Sequence, residues 1–271
     1  MDPILYLECA SGISGDMTVA ALLDLGADAK VLSQALDSLL PLGIEGFQIQ
    51  ITRVKKSGLD ACDFHVLLDK AHENHDHDMD YLHGSGPHGD HPHPGHHHTH
   101  RGLGEILPLI QQADMSPGAK ALSEKIFQIL AQAEAKAHGV PADQVHFHEV
   151  GAVDSIVDII SAAVCLDDLG VAEVAIPSLC EGCGTVRCQH GLLPVPVPAV
   201  LNIVQEYALP LQITSIKGEL VTPTGAAIAA AIRTTDRLPQ RFTVSKTGLG
   251  AGKRTYDCPG ILRAMLIQPV L

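Results

Sequence analysis

The segment ILYLECASGISGDMTVAALLDLG, residues 4–26, has the pattern of a strand, a tight loop and a helix. Residues 4–8 (ILYLE) form a short apolar run that is typical of a buried strand, and MTVAALLDLG is an apolar helix expected to end at Gly26. Between them, CASGISGD contains the glycine and serine that a tight turn favours. The segment therefore predicts a strand-loop-helix unit, which is the building block of α/β proteins.

Strand and helix patterns continue to alternate along the chain. Two β-rich runs, FQIQITRV (47–54) and ACDFHVLL (61–68), are joined by KKSGLD and predict a hairpin. Residues 179 to 200, which end in PVPVPAV, are rich in turn-forming residues. Six further helices are expected, at about 28–40, in LGEILPLIQQA at 103–113, from Ser116-Pro117 to Gly139, from about Asp154 to Gly170, near 197–206 and after the TPTG of 222–225. Further strands are expected at VAEVAIPS (171–178), near 241–246 and near 261–267.

This alternation predicts an α/β fold, with a mixed sheet, helices packed on it and a long disordered His-rich loop. We expect a single domain over residues 1–271. The alternative is a pair of subdomains, 1–70 and 101–271, separated by the His-rich insertion at 71–100.

The composition limits the kinds of partner. The chain has 18 Lys and Arg against 31 Asp and Glu, a net charge of −13, which leaves no basic surface for nucleic acid. No stretch reaches the ~20 apolar residues of a membrane span, and no positively charged segment precedes an apolar run at the start of the chain. Without a signal peptide, the seven cysteines are expected to be reduced thiols. We therefore expect a cytoplasmic protein that binds neither nucleic acid nor membranes.

Residues 72–100 combine histidine, glycine, proline and aspartate and contain almost nothing to bury. Neutral imidazole is a ligand that suits nickel, copper and zinc, and closely spaced imidazoles can wrap an ion without a preformed cage. The segment therefore predicts binding of a divalent transition metal. The alternative is a solvated linker with incidental histidines. The predicted ligands are His72, His75, His77, His91, His93, His96, His97, His98 and His100.

The segment FHEVGAVDSIVD at 147–158, preceded by His146, is a second candidate site. In an extended chain His146 and His148 point to one face, and Asp154 and Asp158 share one face of the next helix. Imidazoles beside carboxylates could hold a divalent metal or transfer protons. The alternative is structural, with Asp154 as a helix cap and the histidines in the core. The candidate catalytic residues are His146, His148, Glu149 and Asp154.

Two loops before helices are candidate anion sites. In ECASGISGDM (8–17), backbone N–H groups would converge on a helix start, whose dipole favours a nucleotide phosphate. In GELVTPTGAA (218–227), Thr222 could cap a helix while Thr224 and Gly225 face a bound group. The alternative in each case is an ordinary capped helix. The candidate cofactor-binding residues are Ser11, Gly12, Ser14, Gly15, Asp16, Glu219, Thr222 and Thr224.

Two further patterns are weaker. Cys180 and Cys183 form a C-x-x-C, but no second pair accompanies it, so we do not predict a zinc ribbon. The run GLGAGKRT at 248–255 nearly matches a phosphate-binding loop, yet Thr247 stands where the first glycine should be. We reject it as a nucleoside-triphosphatase loop.

Five segments in order resemble the nickel insertion proteins of nickel-pincer nucleotide biosynthesis, the LarC family. The resemblance spans nearly the whole chain and implies an insertase, a cyclometallase of the lyase class. Such an enzyme places Ni(II) into pyridinium-3,5-bisthiocarboxylic acid mononucleotide, in a reaction that depends on CTP with Mn(II) or Mg(II). The segments are SGISGDM (11–17), FHEVGAVDSIVDI (147–159), HGLLPVPVPA (190–199), GELVTPTGAA (218–227) and GLGAG with PGILR (248–263).

The resemblance also implies partners. The finished cofactor serves lactate racemase and related apoenzymes, and His190 joins the candidate cofactor-binding residues. The chain ends about where the family's C-terminal, CTP-binding domain would begin, so a C-terminal companion polypeptide is expected. We also expect a homo-oligomer. The alternatives to an insertase are a nickel store or metallochaperone, which would bind many ions but no nucleotide, and a metal-dependent hydrolase.

Overall fold

Strands and helices alternate along the chain, as the sequence predicts. The computed structural model describes residues 2–69, 79, 82, 101–145, 153–188 and 191–270. The strands are β1 (Ile4–Glu8), β2 (Phe47–Lys56), β3 (Leu59–Leu68), β4 (Glu173–Ala175), β5 (Leu179–Cys188), β6 (Gly191–Val195), β7 (Leu211–Lys217), β8 (Phe242–Ala251) and β9 (Ile261–Pro269). The α-helices are α1 (Gly15–Leu25), α2 (Ala29–Asp37), α3 (Leu103–Gln112), α4 (Pro117–His138), α5 (Val153–Leu169), α6 (Pro198–Glu206) and α7 (Pro223–Ile232).

The main sheet is mixed and has the strand order β2-β3-β8-β9-β1-β4. The predicted hairpin is confirmed, because β2 and β3 pair antiparallel from Phe47 opposite Leu68 to Lys56 opposite Leu59. Strand β9 pairs antiparallel with both β1 and β8, so β1 and β8 run in the same direction. The loops that follow β1 and β8 therefore leave the sheet at the same edge. Strands from both sides of the His-rich segment contribute to this sheet.

The prediction of a turn-rich segment between residues 179 and 200 is wrong. Strands β5 and β6 form an antiparallel hairpin there, and β7, which the sequence pattern did not predict, pairs parallel with β5. Together these strands form a second sheet in the order β6-β5-β7. A single bridge from Cys9 to Leu179 joins this sheet to the loop after β1, and a second bridge, from Ile13 to Val221, joins that loop to the segment after β7.

Helix ends follow the capping signals of the sequence. The Ser116 hydroxyl accepts a hydrogen bond from the Ala119 N–H, Pro117 occupies the first turn, and Gly139 ends α4 with a left-handed backbone at φ +67°. Helix α1 ends at Gly26, also at positive φ. The residue types that favour caps therefore predicted these helix boundaries to within a residue or two of the observed ones.

Helix α1 lies unusually close to strand β8, and two glycines of that strand allow this. A Cβ at Gly248 would lie 2.2 Å from the Ala21 carbonyl oxygen, and one at Gly250 would lie 2.0 Å from the Met17 carbonyl oxygen. The GLGAG run therefore serves helix-sheet packing, and its glycines continue strand β8 to Ala251. Rejection of this run as a nucleoside-triphosphatase loop agrees with that structure.

Residues 72–100, whose composition predicts almost nothing to bury, contribute one buried residue to the core. Most of the segment lies outside the described residues, but Leu82 is buried in the main core and Met79 packs against it. Among the helices that the structure describes, none is long and apolar enough to cross a membrane.

Candidate functional site

The two loops predicted to bind anions lie against each other. The Ile13 N–H donates to the Leu220 carbonyl at 3.0 Å, and the Thr222 N–H donates to the Ile13 carbonyl at 3.1 Å. Gly12, at φ +87°, has no room for a side chain, because a Cβ would lie 2.0 Å from the Leu220 carbonyl oxygen. The starts of α1 and α7 are therefore held side by side at the edge of the main sheet.

A substitution at Gly225 would test the close packing of the two helix starts. A Cβ at Gly225 would lie 2.2 Å from the Ile13 carbonyl oxygen, so Gly225→Ala should force the two helix starts apart and lower the free energy of unfolding by about 1–3 kcal/mol. Thermal and urea unfolding would measure this. The matched control is Gly104→Ala in α3, where the added Cβ would have no atom from outside its own turn of helix within 4 Å, so the substitution should be neutral or stabilise by about 0.4–1 kcal/mol. Equal effects of the two substitutions would contradict the close packing.

A pocket opens beside the paired helix starts. It is formed by the loop after β1, by the segment that precedes α7 and by the loop between β8 and β9. Its atom-free space, including the mouth that is open to solvent, is about 460 Å³. The lining residues are Ser11, Ser14, Asp16, Met17, Glu219, Leu220, Thr222, Gly252, Lys253, Arg254, Tyr256, Cys258 and Gly260.

One side of the pocket carries two cations. Lys253 forms an ion pair with Asp63 of β3, and both side chains are largely buried. Arg254 contacts Glu219 at 2.5 Å, and that glutamate is only 7% exposed. Tyr256 is held close by, where its ring would collide with any Cβ on Gly218, and burial raises the pKa of its hydroxyl. Each cation has an acidic partner, so both are fixed in place at the pocket surface.

Carboxylates gather around Asp16, which also lines the pocket. Asp16 is buried, its Oδ1 accepts from the Ser14 hydroxyl, and its Oδ2 has no hydrogen-bond partner among the described residues. Burial raises the pKa of Asp158 well above its ordinary value, and the charges of Asp16 and Asp154 raise it further. Lys253 and the Asp16 backbone N–H oppose that shift. The Asp158 carboxyl therefore lies in a buried, negatively charged region that favours its protonated form.

The structure places several predicted site residues together. Asp154 and Asp158 lie on one helix, α5, and the charges of Asp154 and Asp16 both raise the pKa of Asp158. Gly12 and Gly15 do not line the pocket but allow close packing, Gly15 against Asp158 and Gly12 against Leu220. Thr224 is buried in α7 outside the lining. The predicted residues that line the pocket are Ser11, Ser14, Asp16, Glu219 and Thr222.

Other predicted residues lie outside the part of the chain that the structure describes. These include the candidate bases and His190. Within the described ranges, no three His, Cys, Asp or Glu side chains are arranged to hold a metal ion. The placement of the predicted metal ligands stays a prediction. The residues concerned are His146, His148, Glu149, His190, His72, His75, His77, His91, His93, His96, His97, His98 and His100.

Sequence reasoning missed the cationic side of the pocket. Lys253 and Arg254 belong to the GLGAGKRT run, whose near match to a phosphate loop was rejected with the nucleoside-triphosphatase reading. A glycine followed by two cations at the end of a strand was the signal, because ligands often bind at the carboxyl ends of strands in α/β sheets. Asp63 and Tyr256 had no local signal, since they acquire their roles only through contacts with Lys253 and Arg254.

The cysteines of the chain are free thiols in the structure, as expected. Cys180 and Cys183 lie in β5 rather than in a turn. Cys258 alone among the seven lines the pocket. Burial, followed by the charge of Glu8, raises the pKa of Cys180.

Comparison with known proteins supports one family. The family model described as nickel insertion protein matches residues 5–270. A pyridinium-3,5-bisthiocarboxylic acid mononucleotide nickel insertion protein of Alkaliphilus metalliredigens (strain QYMF) is 55% identical over 265 residues, which make up 97% of this chain and 60% of that protein. A protein of the same name from Acetivibrio thermocellus is 39% identical over 263 residues, with the same coverage of 97% and 60%.

A third relative is described as a putative nickel insertion protein. It comes from Geotalea uraniireducens (strain Rf4) and is 38% identical over 264 residues, or 97% of this chain and 60% of that protein. The chain thus spans about 60% of the length of these curated relatives. No solved structure matches the chain. The match across residues 5–270 confirms the resemblance seen in five separate motifs, and the chain belongs to the nickel insertion protein family.

Proposed function

We propose that this chain binds pyridinium-3,5-bisthiocarboxylic acid mononucleotide in the pocket at the paired helix starts and takes part in placing Ni(II) into it. The observation that carries the proposal is the set of charges at the pocket, because the cations Lys253 and Arg254 and the buried acid Asp16 all line it. The names of the curated relatives supply the substrate and the metal.

The mononucleotide has groups that suit both kinds of charge. Its phosphate and thiocarboxylates are anionic and would lie towards Lys253 and Arg254, near the start of α7, whose first turn contains no acidic residue. Its pyridinium ring is cationic and flat, so it suits the Asp16 carboxylate and the face of Tyr256. The start of α1 is already occupied by Asp16 and Asp158, so the phosphate belongs at the α7 side.

The insertion is a balanced exchange without oxidation or reduction. The ring C–H bond breaks, its electron pair forms the nickel–carbon bond, and a base takes the proton while the two thiocarboxylate sulfurs bind the ion. Nickel is a substrate here, and the free Oδ2 of Asp16 is a donor that could receive it. The candidate bases remain His146, His148 and Glu149, with Asp154 as a supporting carboxylate.

Other parts of the proposal rest on the family resemblance. They are CTP with Mn(II) or Mg(II), a C-terminal companion polypeptide that binds CTP, a homo-oligomeric state and delivery of the product to a lactate racemase-type apoenzyme. The test is to incubate the purified chain with Ni(II), the mononucleotide and CTP, with and without a polypeptide that supplies the remaining part of the curated relatives. Activation of an apo-racemase is the expected result. Failure in both arms, with no mononucleotide binding, would overturn the proposal.

Lys253→Met should weaken mononucleotide binding about tenfold or more, because it removes a charge-assisted contact worth about 1.4 kcal/mol. Asp63→Asn is combined with it, so that no buried carboxylate is left without its cation. Titration calorimetry at low and high salt measures the change, which should shrink as salt rises. Lys55→Met, on the exposed face of β2, is the matched control and should bind normally. If the double variant binds the mononucleotide as tightly as wild type, the anionic groups of the mononucleotide do not bind at Lys253.

A further inference from the structure

Glu181 is a buried acid that the reaction described above does not use. It lies in β5 between Cys180 and Gly182, and its side chain is fully buried. The pairing of β5 with β7 shifts register between Glu181 and Cys183, which marks a β-bulge. A bulge can redirect a side chain. Here the Glu181 carboxylate reaches the pocket wall formed by residues 219–222.

The bulge depends on a very close approach of two backbones. A Cβ at Gly182 would lie 1.9 Å from the Gly218 carbonyl oxygen, so only glycine fits there. The Gly218 N–H also donates to the Cys183 carbonyl at 3.0 Å. Gly218, which contacts the bulge, is therefore followed directly by the wall segment 219–222.

One oxygen of Glu181 holds this wall. Its Oε1 accepts hydrogen bonds from the N–H groups of Gly182 at 2.7 Å, Leu220 at 2.7 Å and Val221 at 3.1 Å. Leu220 lines the pocket, and its carbonyl accepts from Ile13 in the loop before α1. A single acceptor thus connects β5 with the wall and, through Leu220, with the paired helix starts.

We propose that Glu181 is the positioning residue of the pocket, and that its Oε1 fixes the wall segment 219–222 against strand β5. The inference rests on the proposed function only for the identity of the ligand. Removing the acceptor would leave three backbone N–H groups without a partner in a buried region, and such groups are costly to leave unsatisfied. The wall would then move to find other partners, and Leu220 and Thr222 would leave their places in the lining.

The charge state of Glu181 provides a separate signature. Burial raises the pKa of this carboxyl to about 7, the three N–H groups lower it and the nearby Glu219 raises it. Glu219 is itself paired with Arg254, and the thiols of Cys180 and Cys183 flank Glu181 in the strand. Because the folded state holds the proton up to about pH 7 and the unfolded chain releases it near 4.5, this group makes folding less favourable as pH rises from about 4.5 to 7.

Two variants separate the acceptor from the charge. Glu181→Gln keeps an acceptor oxygen, whereas Glu181→Met removes it at similar size. In the ligand-free chain, amide hydrogen exchange at Leu220 and Val221 should accelerate about 100-fold or more in Glu181→Met and stay within about tenfold of wild type in Glu181→Gln. Mononucleotide affinity should fall at least about tenfold in Glu181→Met and be kept in Glu181→Gln.

The pH dependence of stability is measured on Glu181→Gln and wild type only. This experiment therefore tests the inference even if Glu181→Met does not fold. The melting temperature of Glu181→Gln should match that of wild type near pH 5 and exceed it near pH 8, because the amide stays neutral where the carboxyl ionises. Unchanged exchange at Leu220 and Val221 in Glu181→Met, or fast exchange in Glu181→Gln, would overturn the inference. A wild-type chain that binds no mononucleotide but shows these exchange differences would count against the proposed function and leave the role of Glu181 standing.

Discussion

Asp16→Asn is expected to lower the rate of nickel insertion about 100-fold or more, equivalent to about 2.7 kcal/mol at the transition state, without destabilising the fold. Asparagine keeps an oxygen for the Ser14 hydroxyl and replaces the unpartnered Oδ2. It also removes the charge that, after burial, does most to raise the pKa of Asp158. The melting temperature at pH 7 should therefore stay equal or rise while activity is lost. Stability and activity that move in opposite directions are typical of a functional site.

The measurement is cofactor formation, read as activation of an apo-racemase, together with a melting curve and the number of nickel ions bound. Asp236→Asn makes the same chemical change on the exposed surface and should leave all three unchanged. His148→Ala, outside the described residues, is run in parallel because it was predicted from the sequence as a base. Full activity of Asp16→Asn would show that the Asp16 carboxylate has no part in the reaction. Full activity of both Asp16→Asn and His148→Ala would show that the reaction uses other residues, whereas a wild-type chain that binds nickel but forms no cofactor would favour a nickel store.

The parts of the site that could be predicted from sequence are those with local signals. A glycine-rich turn before an apolar helix, and Thr222-Pro223 before another, each marked a helix start. Asp154 and Asp158, four residues apart, had to share a face of α5. Nothing local could show that Ile13 would pair with Leu220 and Thr222, because that contact joins segments far apart in the chain. The pocket exists only where these segments meet.

The errors in the fold have a similar cause. Strands β5 and β6 contain glycine, proline and cysteine, so their composition resembles a turn, and they form because β7 and the loop at Cys9 supply partners. Glu181 had no local signal for the same reason, because its hydrogen-bond partners Leu220 and Val221 lie 39 and 40 residues further along the chain. Helix boundaries were easier, because caps at Ser116 and Thr222 act within three residues.

Replacing the eight histidines of residues 83–100 by serine should remove several nickel ions per chain while insertion at saturating nickel continues. The change keeps the length of the segment and spares Met79 and Leu82, because Leu82 is buried in the core and a deletion of 72–100 would remove it. Equilibrium dialysis with elemental analysis measures the stoichiometry. In the wild-type chain the bound nickel should be released as pH falls through about 6, since a protonated imidazole has no lone pair for the metal.

A chain with residues 83–100 in shuffled order is the matched control. It has the same eight imidazoles, and because closely spaced imidazoles need no fixed cage it should bind as much nickel as wild type. Unchanged stoichiometry in the serine variant would show that the segment is only a linker and that nickel binds elsewhere. Loss of insertion at saturating nickel, in a serine variant that melts like wild type, would show that these histidines act in the reaction itself. Nickel retained at pH 4 would point to thiolate or carboxylate ligands instead, because imidazoles are protonated there.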